Sequence, residues 1–273
     1  MRNIAAFVAA VAVAMSAACT TVSGTGRKQL NVLSREQEFT LGADAYGEML
    51  GEKGVVRLRS GPEFDRVQRI AGRIEDAAER LHPRAVQGFE WEWAVIKDDA
   101  TVNAWALPGG KSAVYTGMLR MAADDDQLAA VMGHEAAHAI ARHSGERISG
   151  DIMLQGALQG ASMAIGDMSP GAQQATMMAL GLTSQYGVAL PWSRMQESEA
   201  DEMGLLISAD AGYDPRAAVT LWQRMAAQSG GPPEFLSTHP SENTRIARLQ
   251  KLMPRALGVW EAAKARDGGP ASR

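Results

Sequence analysis

The chain contains 273 residues, of which 46% are hydrophobic and 21% are charged, and its formal net charge is -4. These proportions are typical of a globular chain of one or two domains and exclude an intrinsically disordered one. The slightly acidic balance argues against nucleic acid as a partner. Because the chain has a single cysteine, an intrachain disulfide and zinc sites built from several thiolates are excluded. Any metal bound here needs histidine and carboxylate ligands.

Residues 1–18 have the pattern of a removable secretory signal. A positive charge precedes an apolar run that is too short to span a bilayer comfortably and that ends in small residues. The end of this run and Cys19 resemble a bacterial lipobox, although Ser16 replaces the usual leucine-like residue. The pattern predicts cleavage before Cys19 and its lipidation; plain secretion, with Cys19 lost or free, is the alternative. Thr20 after the cysteine is typical of lipoproteins of the outer membrane.

Three regions follow the signal. Residues 19–33 are polar and are predicted to be a tether, residues 34–255 are predicted to be the globular domain, and residues 256–273 a C-terminal helix and tail. Helical periodicity and helix-start signals predict helices over 35–50, 62–81, 124–148, 192–211, 215–228 and 241–253. Aromatic and β-branched runs predict strands over 89–96, 103–107 and 112–116. The expected fold is therefore α+β, mainly helical, with a small β-sheet.

Two segments of this pattern allow more than one interpretation. The three aspartates at 124–126 could form a calcium site or mark the start of a helix. We favour the helix start because acidic residues stabilise helix N-termini. Residues 152–190 are rich in alanine, glycine and methionine and nearly uncharged. They are interpreted as a buried helical hairpin; a mobile cover over a site and a membrane-contacting element stay open as alternatives.

His134 and His138, with Glu135 after the first, form the pattern H-E-x-x-H in an apolar helical context. Residues four apart lie about 40° apart around a helix, so both imidazoles can reach one ion. In this pattern the glutamate is the general base of a zinc peptidase. The sequence therefore predicts one zinc ion per chain, with two core histidines as the alternative. His143 lies about 180° from His134 around a continuous helix and is predicted not to be a ligand.

Catalytic zinc has three protein ligands and an open position, so a third ligand is required. Glu197 and Asp201 share one face of a predicted helix. One can bind the metal while the other accepts the free ring N–H of a ligand histidine. Spacing alone leaves the choice between them open. Glu199 points about 200° away from Glu197 and is predicted to face elsewhere.

Four motifs occur in order along the chain: residues 103–110, His134 to His138, residues 193–201, and Ser237 to His239 with Arg245. Together they resemble zinc metallopeptidase family forty-eight, the HtpX-, OMA-, BepA- and LoiP-like peptidases. The resemblance covers roughly residues 25–253 and is closest to the periplasmic lipoprotein type without membrane helices. It implies a zincin-like domain in which the H-E-x-x-H helix and a second ligand-bearing helix flank a cleft.

The resemblance assigns roles to individual residues. It makes Glu197 the third zinc ligand and Asp201 the support of a ligand histidine. His239 is placed near the metal, either as a catalytic group that stabilises the oxyanion or as a fourth ligand that keeps the enzyme latent. Arg245 is expected to pair with an acidic group near the site, and a surface helix position is its alternative.

Asn103, Ala104 and Trp105 resemble the edge strand that pairs with an extended substrate in such peptidases. Addition of a strand reads main chain more than side chain, which favours unfolded substrates. Ordinary packing in the sheet is the alternative for Trp105.

The expected function is a membrane-anchored zinc endopeptidase that degrades misfolded or damaged envelope proteins, which is a role in protein quality control. It would lie in the bacterial periplasm, attached by lipid and predicted to be on the outer membrane. Expected partners are unfolded or misfolded protein substrates, the membrane and outer-membrane assembly factors. The alternative is a chaperone-like or assembly-assisting lipoprotein with a regulatory or latent zinc site.

Overall fold

The computed structural model describes residues 19–164, 169, 190–227, 234–239 and 245–268. The predicted signal segment and most of the predicted hairpin at 152–190 lie outside the described residues. Among the helices that are described, none combines the length and apolar character that a membrane crossing requires.

The described residues form a mainly helical α+β fold, as predicted. The strands are β1 (Cys19–Thr21), β2 (Lys28–Leu30), β3 (Arg57–Leu58), β4 (Glu92–Ile96), β5 (Ala104–Ala106) and β6 (Lys111–Tyr115). The helices are α1 (Arg35–Gly51), α2 (Pro62–Leu81), α3 (Thr116–Met121), α4 (Asp125–Ile140), α5 (His143–Ala164), α6 (Leu190–Asp210), α7 (Arg216–Ala226), α8 (Glu234–Thr238) and α9 (Arg245–Gly268).

The sheet is small and one of its edges lies against α4. β1 and β2 form an antiparallel hairpin, and the other strands form a sheet of order β3-β4-β6-β5. β4 and β6 are parallel, while β5 and β6 are antiparallel and pair Ala104 with Val114. The turn between β5 and β6 contains Gly109 and Gly110 at φ of 82° and 88°, a left-handed conformation that favours glycine. β5 is therefore an edge strand, and it packs against α4.

Local signals located two helix starts correctly. Ser34 and Gln37 form a capping box at the start of α1, with the Gln37 N–H donating to Ser34 Oγ at 3.2 Å. At the start of α4, the Gln127 N–H donates to Asp124 Oδ1 at 2.8 Å. Asp124 is thus the N-cap of α4, and the helix-start interpretation of the three aspartates is the one that the structure supports.

The predicted continuous helix over 124–148 is wrong. α4 ends at Ile140, Arg142 has a left-handed φ of 59°, and a new helix begins at His143. A non-glycine residue at positive φ is unusual. Here the guanidinium of Arg142 donates to Leu33 O and to Glu38 Oε2, both at 3.0 Å. These long-range hydrogen bonds stabilise a turn that hydrophobic periodicity does not signal.

The two ends of the domain also differ from the prediction. The segment predicted as a tether contains the hairpin β1-β2, whose Val22 is buried and whose Arg27 forms an ion pair with Glu146 at 2.6 Å. At the other end, α9 continues through Pro254 to residue 268, so the predicted boundary at 255 falls inside a helix. Tertiary contacts order both segments.

Two glycines allow α4 and α6 to approach closely. A Cβ atom on Gly204 would lie 2.7 Å from the backbone N and Cα of His134, and one on Gly133 would lie 2.7 Å from the carbonyl oxygen of Gly204. Ser208 completes the contact by donating from Oγ to Ala129 O at 2.9 Å. The backbones of the H-E-x-x-H helix and of the predicted second ligand helix therefore touch.

We expect Gly204→Ala to destabilise the protein by about 1–3 kcal/mol, because the added methyl group overpacks the contact between α4 and α6. Gly72→Ala is the matched control, since Gly72 lies within α2 and a Cβ there meets no atom within 4 Å. The control should be stabilised by up to about 1 kcal/mol through helix propensity. Urea unfolding of both variants measures the difference, and equal stability would contradict the proposed contact.

Candidate active site

The predicted metal ligands meet in the interior, between α4 and α6. His134 Nε2 and His138 Nε2 are 3.1 Å apart. Glu197 Oε2 lies 3.4 Å from His134 Nε2, and Glu197 Oε1 lies 3.5 Å from His138 Nε2. All three side chains are buried. With His239, they form a group whose ligand atoms all lie within 4.8 Å of one another.

This donor set fits zinc. Tetrahedral zinc with bonds of about 2.0–2.1 Å separates its ligand atoms by about 3.3 Å, which is close to the three distances between these nitrogen and oxygen atoms. Glu197 Oε2 is also buried with no hydrogen-bond partner among the described residues. A buried carboxylate oxygen without a partner is costly, and a cation at this point would satisfy it. Two imidazoles and a carboxylate are typical of catalytic zinc sites.

Asp201 and Arg245 support the outer side of His134. Asp201 Oδ1 lies 3.2 Å from His134 Nδ1, and Arg245 Nε donates to the same oxygen at 3.0 Å. Burial disfavours the charged imidazole, but the nearby carboxylates of Asp201 and Glu197 outweigh it and raise the pKa of His134 to about 9. The guanidinium of Arg245 lies 3.4 Å from the centroid of the Trp222 ring. This geometry favours Glu197 as the zinc ligand and Asp201 as the group that supports the ligand His134. Spacing alone left this choice open.

His143 occupies a position that the sequence analysis missed. Its Nδ1 lies 2.8 Å from Nδ1 of His138, and its Nε2 lies 3.0 Å from Glu199 Oε2. The prediction placed His143 across the helix from the metal because it assumed that one helix ran to residue 148. The break at Arg142 brings His143 against a predicted ligand. Glu199 faces away from the ligand atoms, in the direction predicted from spacing.

Glu135 and His239 lie beside the three ligands. Glu135 Oε1 is buried without a hydrogen-bond partner among the described residues and is 3.5 Å from His239 Nε2. Burial raises the pKa of Glu135 to about 8. The ring of His239 stacks on Phe235 with centroids 4.4 Å apart, and its Nδ1 lies 3.2 Å from the Phe235 carbonyl oxygen. His239 Nε2 is thereby left facing Glu135 and the ligand group.

The predicted substrate strand lies at the edge of the sheet. Ala104 and Trp105 are in β5, and Asn103 directly before it donates from Nδ2 to Glu234 Oε1 at 3.0 Å. The backbone of Ala106 lies close enough to the Glu135 carboxylate to favour its charged form slightly. Trp105 packs edge-on against Tyr46 with ring centroids 5.9 Å apart, which agrees with the packing alternative for this residue. The strand itself runs beside the predicted general base.

The remaining predicted site residues are Cys19 and Arg245. Cys19 is exposed with a free thiol in β1. Arg245 is at the first position of α9 and is 2% exposed, so the surface alternative for this residue is wrong.

An H-E-x-x-H helix, a carboxylate from a second helix and a sheet edge beside them define a zincin-type metallopeptidase domain. The family described as "Peptidase family M48" matches residues 62–253 of the chain. The chain belongs to this family of zinc metallopeptidases. The resemblance inferred from the four motifs is therefore confirmed, and with it the use of zinc as the cofactor.

Individual relatives are similar over most of the chain. The mitochondrial metalloendopeptidase OMA1 of Schizosaccharomyces pombe is 36% identical over 236 residues, which cover 85% of this chain and 66% of that protein. Human mitochondrial metalloendopeptidase OMA1 is 31% identical over 249 residues, 87% of this chain and 46% of that one. The β-barrel assembly-enhancing protease of Escherichia coli is 28% identical over 276 residues, 95% and 54% of the two chains. The chain thus spans less than two thirds of each of these relatives.

Proposed function

We propose that this protein is a zinc-dependent endopeptidase that hydrolyses peptide bonds in unfolded, misfolded or damaged proteins of a bacterial envelope. One observation carries the proposal: the buried Glu135 carboxylate has an oxygen without a hydrogen-bond partner among the described residues and lies beside the ligand group. A purely structural zinc site has no need of such a carboxylate. The relatives are themselves named as metalloendopeptidases and as a protease.

The residues around the ligands divide the work of hydrolysis. His134, His138 and Glu197 would hold zinc, which would polarise the scissile carbonyl and lower the pKa of the attacking water. Glu135 accepts a proton from that water at its carboxylate and delivers it to the departing amine. Burial raises the pKa of Glu135, and a raised pKa makes its carboxylate a stronger base toward that water.

The edge strand supports an extended substrate. A chain that pairs with β5 adds a strand to the sheet through main-chain hydrogen bonds. The Ala106 backbone contact with Glu135 means that such a chain would pass the general base. Recognition of main chain selects unfolded segments, because folded proteins have already paired their backbone groups. Misfolded proteins are therefore the proposed substrate class.

Glu135→Gln is expected to lower chelator-sensitive cleavage of an unfolded protein by about 10²–10⁴-fold, because the amide cannot accept the proton. The purified variant should keep one zinc ion per chain, measured by metal analysis, because Glu135 is not among the proposed ligands. Zinc-dependent cleavage at the wild-type rate by this variant would overturn the assignment of Glu135 as general base.

A latent form of the site is the second candidate, and it is favoured by the position of His239. The Phe235 carbonyl can only accept, so a hydrogen bond with His239 places the ring proton on Nδ1 and a lone pair on Nε2. A fourth protein ligand closes a zinc site, whereas catalysis needs an open position. In this state the protein could act in the chaperone-like or assembly-assisting role until His239 moves.

We therefore expect His239→Ala to cleave unfolded protein faster than the wild type and to bind zinc more weakly, since it would lack a fourth ligand. Cleavage rates and zinc affinity measured on the same preparations test both parts. Slower cleavage at unchanged zinc affinity would instead assign His239 to oxyanion stabilisation. Absence of cleavage by the wild type and by this variant, each with one zinc bound, would favour the chaperone-like function.

Anchoring through Cys19 belongs to the same proposal. The thiol is exposed and follows the predicted signal, and the Escherichia coli relative is named for enhancement of β-barrel assembly, which supports assembly factors as partners. Stable attachment requires more than one acyl chain. In a bacterial host, labelled palmitate should be incorporated by the wild type and not by Cys19→Ser. Equal labelling of both proteins would contradict lipidation at this residue.

A further inference from the structure

We infer that Arg27, Glu199 and His143 are positioning residues of the metal site, which together hold the ring of His138 with Nε2 free to bind zinc. The N-terminal hairpin β1-β2 would then be a structural part of the active site. The inference rests on zinc binding by His138, as proposed above, and is independent of whether the protein cleaves peptides.

The hydrogen bonds between these side chains determine the tautomer of His138. A carboxylate can only accept, so His143 Nε2, 3.0 Å from Glu199 Oε2, carries a hydrogen. A neutral histidine ring that donates from Nε2 has its acceptor at Nδ1, and a His138 ring that ligates zinc through Nε2 has its hydrogen on Nδ1. His138 Nδ1, 2.8 Å away, must then donate to it. The lone pair of His138 is left on Nε2, the atom that faces His134 and Glu197.

The hairpin keeps Glu199 charged and in place. Arg27 donates from Nε to Glu199 Oε2 at 2.9 Å and from Nη1 and Nη2 to the two oxygens of Glu146 at 2.6 and 2.7 Å. Thr25, in the same hairpin, donates from Oγ1 to Glu199 Oε1. The Arg27 guanidinium also forms an ion pair with Glu199, with Nη2 2.8 Å from Oε2, and such a charge-assisted pair favours the charged carboxylate. Glu199 is therefore a permanent acceptor for His143.

Stability alone does not account for this arrangement. Glu146 and Glu199 are 1% and 6% exposed, and the burial of charged groups costs free energy that their pairing only partly returns. Apolar side chains would pack the hairpin at a lower cost. The hairpin also lies before residues 62–253, so it is not part of the segment that matches the family. Orientation of a ligand histidine explains why charges are placed there, since partners on the far ring nitrogen fix a ligand's tautomer.

Zinc affinity of four variants tests the inference. Glu199→Gln and Arg27→Ala are compared with the control variants Asp210→Asn and Arg80→Ala. Asp210 is a second buried carboxylate of α6, 2.8 Å from Arg80, and it lies about 16 Å further along α6 than Glu199. Competition with a chromogenic chelator should show zinc binding about 10- to 100-fold weaker in the first pair and unchanged in the second. Arg27→Lys should recover part of the loss.

Two further measurements separate positioning from folding. Thermal unfolding of the metal-free variants reports stability, and the visible spectrum of the cobalt-substituted proteins reports ligand geometry. We expect the cobalt spectrum of Glu199→Gln to change while its control keeps the wild-type spectrum. Wild-type zinc affinity and cobalt spectrum in Glu199→Gln and Arg27→Ala, even with lowered stability, would overturn the inference. Lack of proteolysis by the wild type would contradict the proposed function without affecting this comparison.

Discussion

The close packing of α4 on α6 is the contact on which the site depends. Because Gly133 and Gly204 have no side chains, the backbones of the two helices touch. At this separation a glutamate on α6 reaches histidines on α4, and its oxygens lie 3.4 and 3.5 Å from their Nε2 atoms. Larger side chains at the glycines would separate the helices and, with them, the three predicted ligands. The geometry of the metal site is thus determined by a packing contact outside it.

Burial creates the second constraint, because this contact places polar groups where water does not reach. Every such group needs a partner. The Nε2 atoms of the two rings face each other and Glu197, whereas Nδ1 of each ring has a partner on the outer side: Asp201 for His134 and His143 for His138. Each partner is in turn held by an arginine or by a carboxylate that an arginine holds. The two ligand histidines are therefore supported in the same way from opposite sides.

The parts of the site that the sequence predicted are those that local spacing determines. A four-residue spacing places His134 with His138 and Glu197 with Asp201 on their helix faces whatever the rest of the chain does. His143 could not be placed in this way, because its position depends on the turn at Arg142. That turn is stabilised by hydrogen bonds to Leu33 and Glu38, about a hundred residues earlier in the chain, and no glycine or proline marks it.

The same distinction explains the hairpin. Residues 19–33 are polar, with little apolar surface of their own to bury, so composition favours a tether. What orders the segment is the complementarity of Arg27 with two carboxylates on α5 and α6, a contact that periodicity in either partner does not reveal. His134, His138 and His143 lie within ten residues of one another. This clustering is a sequence signal that His143 belongs to the site, and the assumption of a continuous helix overrode it.

Two segments that are distant in sequence consequently contact the supports of the predicted ligands. Arg245, at the start of α9, contacts Asp201, and Arg27, in the N-terminal hairpin, contacts Glu199. Arg27 and Arg245 are thus separated by more residues than the family match contains. The carboxylates that they contact, Glu199 and Asp201, nevertheless lie on one helix, α6. Because the predicted ligands and their supports meet only in the folded chain, zinc that binds the folded domain would favour folding.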